Sequence, residues 1–104
     1  HSKDYMRGIY MIMQHDKPDD FVIATGETHT VREFAEEVFN YLGLDLYKYL
    51  KTDDICKRPN EVPALMGDST KIRKTLGWKP KIGFKELIKM MVDSDLLLVA
   101  EGKV

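Results

Sequence analysis

The spacing of apolar residues predicts a chain built mainly of helices. Apolar side chains recur every three or four positions in most of the predicted helices, as they do on the buried face of an amphipathic helix. Four helices are expected: one from the Ser2 cap to near His15 and Asp16, one at 31–42, one that ends at Gly77, and one that begins after Gly83, with 96–99 as a candidate extension. The first differs from the others because apolar residues cover nearly two-thirds of its surface, which indicates a helix covered on two sides.

Short polar residues and glycines set the expected ends of these helices. Ser2 is predicted to cap the first helix, and Thr30 with Glu33 forms the capping-box pattern ahead of the second. Gly43 and Gly77 follow apolar runs, where a glycine commonly ends a helix in the left-handed conformation. Asp68 or Ser69 is expected to cap the third helix, and the first should end near His15 and Asp16, before Pro18.

Two segments carry strand-like patterns. Phe21–Ala24 is an apolar run bounded by Asp20 and Gly26, and 51–55 is a second, ambiguous candidate. Two or three short strands do not make a stable sheet by themselves. We therefore expect a mainly helical portion of an α/β protein whose main sheet lies elsewhere.

Composition narrows the function classes. The chain has 104 residues and a formal net charge of −1, so it has no overall attraction for nucleic acid or anionic membranes. It has no apolar run long enough to span a membrane, and its single cysteine, Cys56, weakly favours a reducing compartment. The absence of an initiator Met and a helix pattern beginning at once suggest a piece of a longer chain.

Arg58 and Glu61 are the strongest candidates for a binding site. An arginine can hold phosphate oxygens with two parallel hydrogen bonds, and a carboxylate can accept hydrogen bonds from ribose hydroxyls. Pro59 would stiffen the loop between them. An exposed Arg–Glu pair is the alternative, and spacing alone favours it.

Other chemically active residues have simpler structural explanations. His29 is expected in a solvated loop, Asp53 and Asp54 on an exposed stretch, and Trp78 in the core between the last two helices. No set of His, Cys, Asp and Glu has the spacing of a metal site, so no metal is expected.

Several motifs resemble those of the GDP-mannose 4,6-dehydratase family, and the resemblance covers almost the whole chain. The motif Leu-Gly-Trp-x-Pro occurs across sugar-nucleotide enzymes of the extended short-chain dehydrogenase/reductase class, whereas Ala-Thr-Gly-Glu together with Arg-Pro-x-Glu-Val is much narrower. The matching segments are 1–5, 23–34, 58–62, 67–71 and 76–80.

The resemblance implies a substrate-binding part without its Rossmann sheet. Residues 1–43 would form an edge of the nucleotide-binding half and residues 44–104 the sugar-nucleotide-binding part. Arg58 and Glu61 would hold the diphosphate and ribose of GDP-mannose, and no catalytic residue is assigned. The parent would be a cytoplasmic, homo-oligomeric lyase of GDP-fucose biosynthesis.

The cofactor of such an enzyme, NADP, would bind outside this stretch. The chain has neither a Gly-x-x-Gly-x-x-Gly turn nor a Tyr-x-x-x-Lys pair. The stretch alone is therefore expected to be inactive. Two alternatives remain, a non-catalytic helical interaction module that dimerises through the Met-rich first helix and a part of another sugar-nucleotide epimerase or reductase.

Overall fold

The computed structural model describes residues 1–59 and 64–103. Within them the chain forms five α-helices and one short 3₁₀-helix, which we describe in chain order. The helices are α1 (Ser2–Met13), α2 (Val31–Leu42), α3 (Leu46–Tyr49), the 3₁₀-helix (Asp54–Cys56), α4 (Thr70–Leu76) and α5 (Phe84–Ala100). They fall into two compact units, one made of 1–28 and 64–83 and the other of 29–63 and 84–104.

The first unit has its core around Trp78. Trp78 and Ile72 are almost completely buried, with 1% and 0% of their surfaces exposed. Gly8 lets both Trp78 and Ile23 approach the backbone of α1, because a Cβ there would lie 3.0 Å from Ile23 Cδ1 and 3.1 Å from Trp78 Nε1. The small residue in α1 therefore makes room for the largest side chain of the unit.

Asp4 joins α1 to the segment that follows α4. Its carboxylate accepts hydrogen bonds from the amides of Lys81 and Ile82, both at 3.0 Å, and Trp78 Nε1 donates to the Asp4 carbonyl at 2.9 Å. Arg7 lies 3.4 Å from the same carboxylate and also donates to the Lys79 carbonyl. Burial raises the pKa of Asp4, but the two amides and Arg7 outweigh it and hold the pKa below its ordinary value.

The second unit is built on the packing of α2 against α5. Ile88 and Val92 of α5 are buried, and Leu46 at the start of α3 is buried as well. The Phe34 ring of α2 meets the Phe84 ring of α5 edge-on, with 6.2 Å between centroids. These apolar contacts come from the three- and four-residue spacing that predicted both helices.

Most of the predicted helix ends are confirmed. Thr30 Oγ accepts from the Glu33 amide at 3.0 Å, and Gly43 and Gly77 have φ values of 70° and 71°, in the left-handed region. Ser69 is the N-cap residue of α4, but its side chain makes no capping bond, and Asp68 instead accepts from the Thr70 amide at 2.9 Å.

At α1 the predicted cap is wrong, and the helix ends slightly earlier than predicted. The cap is His1, whose Nδ1 accepts from the Lys3 amide at 3.0 Å, because Ser2 already belongs to the helix. The helix ends at Met13, ahead of the predicted His15 and Asp16.

The mainly helical fold without a Rossmann sheet is confirmed, whereas the expected short strands are not found. Residues 1–59 and 64–103 contain no β-strand, and neither 21–24 nor 51–53 forms a regular element. An apolar extended run becomes a strand only when a neighbour supplies a regular ladder of hydrogen bonds, which sequence pattern does not report. The predicted division of roles at residues 43 and 44 stays a prediction.

Candidate functional site

The segment leading to Arg58 is ordered by its acidic residues. The Asp53 carboxylate accepts from the Ile55 amide at 3.0 Å and so caps the 3₁₀-helix. Asp54 faces Lys57, with 2.6 Å between the carboxylate oxygen and Nζ. The adjacent carboxylates thus have local structural contacts on an exposed stretch, in agreement with the prediction.

Arg58 follows directly and is exposed to solvent. Lys57, just before it, has an extended backbone (φ −73°, ψ 133°), so the chain leaves the 3₁₀-helix at this point. Glu61 lies outside the described residues, together with Asn60, Val62 and Pro63. The pairing of Arg58 with Glu61 therefore stays a prediction. Of the two residues, the structure describes only Arg58, which is exposed.

A cleft of about 510 Å³ lies in the first unit. It opens between the turn after residues 21–24 and the loop that leads into α4. The lining residues are Thr25, Gly26, Glu27, Met66, Gly67, Asp68, Ser69, Thr70 and Arg73. Gly26 has a φ of 80°, which favours glycine at this turn.

Arg73 holds the two walls of this cleft together. Its Nη2 donates to the Thr25 carbonyl at 2.9 Å and to the Ala24 carbonyl at 3.5 Å, and its Nε donates to Ser69 Oγ at 2.8 Å. Hydrogen bonds from Thr70, through its hydroxyl and its amide, hold the pKa of Asp68 below its ordinary value. The Arg73 guanidinium is thus already bonded to protein oxygens, and the Asp68 carboxylate is ionised. The cleft is therefore not an anion-binding site.

His29 has a more ordered environment than predicted. Its ring stacks flat on Phe84, with 3.7 Å between centroids, and Nδ1 lies 3.0 Å from the Glu33 carboxylate. That contact with His29 is the main cause that lowers the pKa of Glu33. His29 is nevertheless an exposed loop residue, as predicted.

Trp78 is a core residue, as predicted, with 1% of its surface exposed. It packs on Gly8 of α1 and donates to the Asp4 carbonyl, so its ring is not available for stacking on a base. No group of potential metal ligands occurs among residues 1–59 and 64–103. In the same part of the chain, every helix is too short or too polar to cross a membrane.

Sequence reasoning missed Asp4 and Arg73 as organising residues. Both act over long separations in sequence, Asp4 on residues 78–82 and Arg73 on residues 24 and 25. An acidic residue in the first turn of a helix is explained well enough by the helix dipole, so the pattern gave no reason to expect a buried carboxylate. The basic residues around Arg73 likewise suggested only a solvated helix face.

These observations first define a class: over residues 1–59 and 64–103 the chain is mainly helical, has no Rossmann sheet, and carries an exposed arginine in an Arg-Pro loop. The family model described as GDP-mannose 4,6 dehydratase matches residues 1–91. The chain therefore belongs to the GDP-mannose 4,6-dehydratase family.

Individual relatives agree with this assignment. The chain is 48% identical to GDP-mannose 4,6 dehydratase 1 of Arabidopsis thaliana over 101 residues, covering 97% of this chain and 28% of the relative. It is 40% identical to GDP-mannose 4,6 dehydratase of Homo sapiens, covering 95% of this chain and 31% of the relative. The Drosophila melanogaster protein of the same name is 34% identical, and the alignment covers 100% of this chain and 31% of the relative. The chain thus spans less than a third of the length of these curated relatives.

Proposed function

We propose that this chain is the GDP-sugar-binding portion of a GDP-mannose 4,6-dehydratase. The whole enzyme would convert GDP-mannose to GDP-4-keto-6-deoxymannose, a step toward GDP-fucose. The observation that carries the proposal is the family match over residues 1–91, which includes the exposed Arg58 in its Arg-Pro-x-Glu-Val motif. The names of the relatives support the same substrate.

Arg58 would bind the diphosphate. A guanidinium presents its donors as a planar fork that matches two phosphate oxygens, and such charge-assisted bonds are stronger than neutral ones. The neighbouring cation, Lys57, lies 2.6 Å from Asp54, so its charge is partly offset by that carboxylate. Glu61 would accept hydrogen bonds from the ribose hydroxyls, as carboxylates do in other nucleotide sites.

NADP would bind to another part of the enzyme. A dinucleotide site needs a glycine-rich turn between a strand and a helix, and residues 1–59 and 64–103 contain no such turn. The residues of this chain therefore do not fit the cofactor. We expect no turnover when the purified chain is incubated with GDP-mannose and NADP, whereas measurable product would contradict the assignment.

The cellular setting follows from the same proposal. The parent enzyme would act in the cytoplasm as a homo-oligomer, as the family resemblance implies. The single cysteine is consistent with a reducing compartment, because disulfides are rare in proteins of such compartments.

Calorimetric titration of GDP into the purified chain tests the site. Arg58→Ala should weaken binding about 10- to 100-fold, the equivalent of losing about 1.5–3 kcal/mol of charge-assisted hydrogen bonding. Arg32→Ala is the matched control, because Arg32 is also exposed and lies 3.3 Å from Glu36. Equal GDP affinity for the wild-type chain and Arg58→Ala would show that Arg58 does not contact the diphosphate.

A further inference from the structure

An exposed ion pair lies directly before Arg58. Lys57 Nζ is 2.6 Å from the Asp54 carboxylate, and the two side chains are 70% and 88% exposed. Water and salt screen such a pair, and holding two mobile side chains together costs entropy, so the pair contributes little to stability. The Lys57 ammonium can therefore leave Asp54 for a more negative partner at small cost.

The turn that carries this pair is held by other contacts. The Asp53 carboxylate caps the 3₁₀-helix by accepting from the Ile55 amide at 3.0 Å. The backbone closes the same turn, because the Lys57 amide donates to the Asp54 carbonyl at 3.1 Å. The backbone ahead of Arg58 should therefore keep its conformation when Lys57 Nζ and the Asp54 carboxylate separate.

The backbone allows Lys57 and Arg58 to act on one ligand. Lys57 has φ −73° and ψ 133°, close to polyproline II. Arg58 precedes Pro59, which restricts it to the same extended region. Consecutive side chains in polyproline II leave the chain about 120° apart, whereas in a β-strand they point to opposite faces. The two long cationic side chains can therefore reach adjacent anionic groups of one ligand.

The charges of this segment fit a ligand with two anionic groups. Residues 53–58 contain two carboxylates, Asp53 and Asp54, and two cations, Lys57 and Arg58. The diphosphate of a GDP-sugar has two negatively charged phosphoryl groups, and a single guanidinium offsets only one charge. A lysine binds phosphate as a compact point charge, which complements the planar fork of an arginine.

We propose that Lys57 is a second ligand of the diphosphate and that Asp54 is its counter-ion in the free protein. On binding, the Lys57 ammonium exchanges the Asp54 carboxylate for a phosphoryl oxygen, beside the guanidinium of Arg58. This inference rests on the proposed function, because it needs a diphosphate at Arg58. Asp54 then competes with the ligand for Lys57, so its charge lowers the affinity for GDP.

A double-mutant cycle, measured by calorimetric titration of GDP into the purified chain, tests this exchange. Lys57→Met removes the ammonium but keeps an unbranched side chain, and it should weaken GDP binding about five-fold. Asp54→Asn should tighten binding about three-fold, because Lys57 no longer has to leave a carboxylate. In the Lys57→Met background the same substitution should change the affinity by less than about 1.5-fold, because the competition is gone. Lys57→Arg, which keeps the charge, should stay within about two-fold of wild type.

A matched ion pair at the end of the chain provides the control. Lys103 Nζ lies 2.7 Å from the Glu101 carboxylate, and the two side chains are 65% and 53% exposed. Lys103→Met and Glu101→Gln change the net charge exactly as the test variants do, and we expect each to alter GDP affinity by less than about 1.5-fold. The thermal midpoints of all these variants should agree within about 2 °C, because the substituted side chains are exposed.

Two outcomes would overturn the proposal. One is equal GDP affinity of Lys57→Met and wild type, and the other is equal tightening by Asp54→Asn in both backgrounds, which would make Asp54 a general charge effect. Failure of the proposed function gives a different pattern, in which Arg58→Ala binds GDP as well as wild type does. A loss of affinity in Arg58→Ala without a loss in Lys57→Met would overturn this inference alone. A chain that binds no GDP would overturn both.

Discussion

Asp4 provides the sharpest test of how the first unit is held together. The substitution Asp4→Ala removes the acceptor for two backbone amides, those of Lys81 and Ile82, each at 3.0 Å from the carboxylate. Asp4 is only 4% exposed, so water cannot easily replace the lost oxygens. Hydrogen bonds to charged groups are worth about 1.5–3 kcal/mol each, and we expect a loss of about 3–5 kcal/mol in the free energy of unfolding.

Trp78 makes this loss measurable. It is the only tryptophan of the chain, it is 1% exposed, and its Nε1 donates to the Asp4 carbonyl at 2.9 Å. Urea unfolding followed by tryptophan fluorescence therefore reports on the first unit. Asp4→Asn should lose less than Asp4→Ala, because its amide oxygen can still accept one of the two bonds. Asp16→Ala, an exposed acidic control, should stay within about 0.5 kcal/mol of wild type.

The same carboxylate predicts a pH dependence with a defined sign. The folded-state pKa of Asp4 lies below its ordinary value, so its contribution to stability is fully present above the unfolded pKa, about 3.9. That contribution is lost as the pH falls through the folded pKa. As the pH falls from 5 to below the folded pKa of Asp4, the free energy of unfolding should therefore decrease more for wild type than for Asp4→Asn. Parallel pH profiles for the two proteins, or a loss under 0.5 kcal/mol in Asp4→Ala at pH 7, would refute the role given to this side chain.

Two further substitutions test the packing of each unit. Gly67→Ala would place a Cβ 2.5 Å from the Ala24 Cβ, so the backbone must shift, and we expect a loss of about 1–3 kcal/mol in urea unfolding. Gly83→Ala is its control because a Cβ there meets nothing within 4 Å; equal effects of the two would contradict this packing. Tyr41→Phe removes the 2.5 Å hydrogen bond from Tyr41 Oη to Asp93 and should slightly lower the thermal midpoint. That hydrogen bond is the largest cause that raises the pKa of Tyr41. The stabilisation from the bond is therefore present below the unfolded pKa of about 10, and it is lost as the pH rises through the folded pKa. An ultraviolet titration in which Tyr41 ionises no later than the other tyrosines would contradict the bond.

The parts of the fold that depend on neighbouring residues could be predicted from the sequence. The Thr30 cap and the glycine stops at 43 and 77 need only a few consecutive residues, and all three were predicted. The strand predicted at 21–24 is not found, because a strand depends on a partner that the local pattern does not contain. Asp4 and Arg73 were missed for the same reason, since their partners lie 77 and 48 residues away.

The candidate site was predictable only through resemblance. Spacing alone favoured an ordinary surface pair for Arg58 and Glu61, and the Arg-Pro-x-Glu-Val motif reversed that interpretation. Two charged residues three positions apart are common on protein surfaces, so physical chemistry gives them no specific function. Exposure of Arg58 meets the first requirement for a phosphate ligand, and the GDP titration tests the rest.

The two units are interleaved along the chain, which has a consequence for how the protein can be made and cut. Each unit is assembled from two separate segments, 1–28 with 64–83 and 29–63 with 84–104. During synthesis the first unit therefore cannot be complete until residue 83 has left the ribosome. The second unit cannot be complete until α5 has been synthesised. No single cut of the chain can yield either unit as one uninterrupted piece. Truncation or limited proteolysis after Gly83 would remove α5, the helix against which α2 packs.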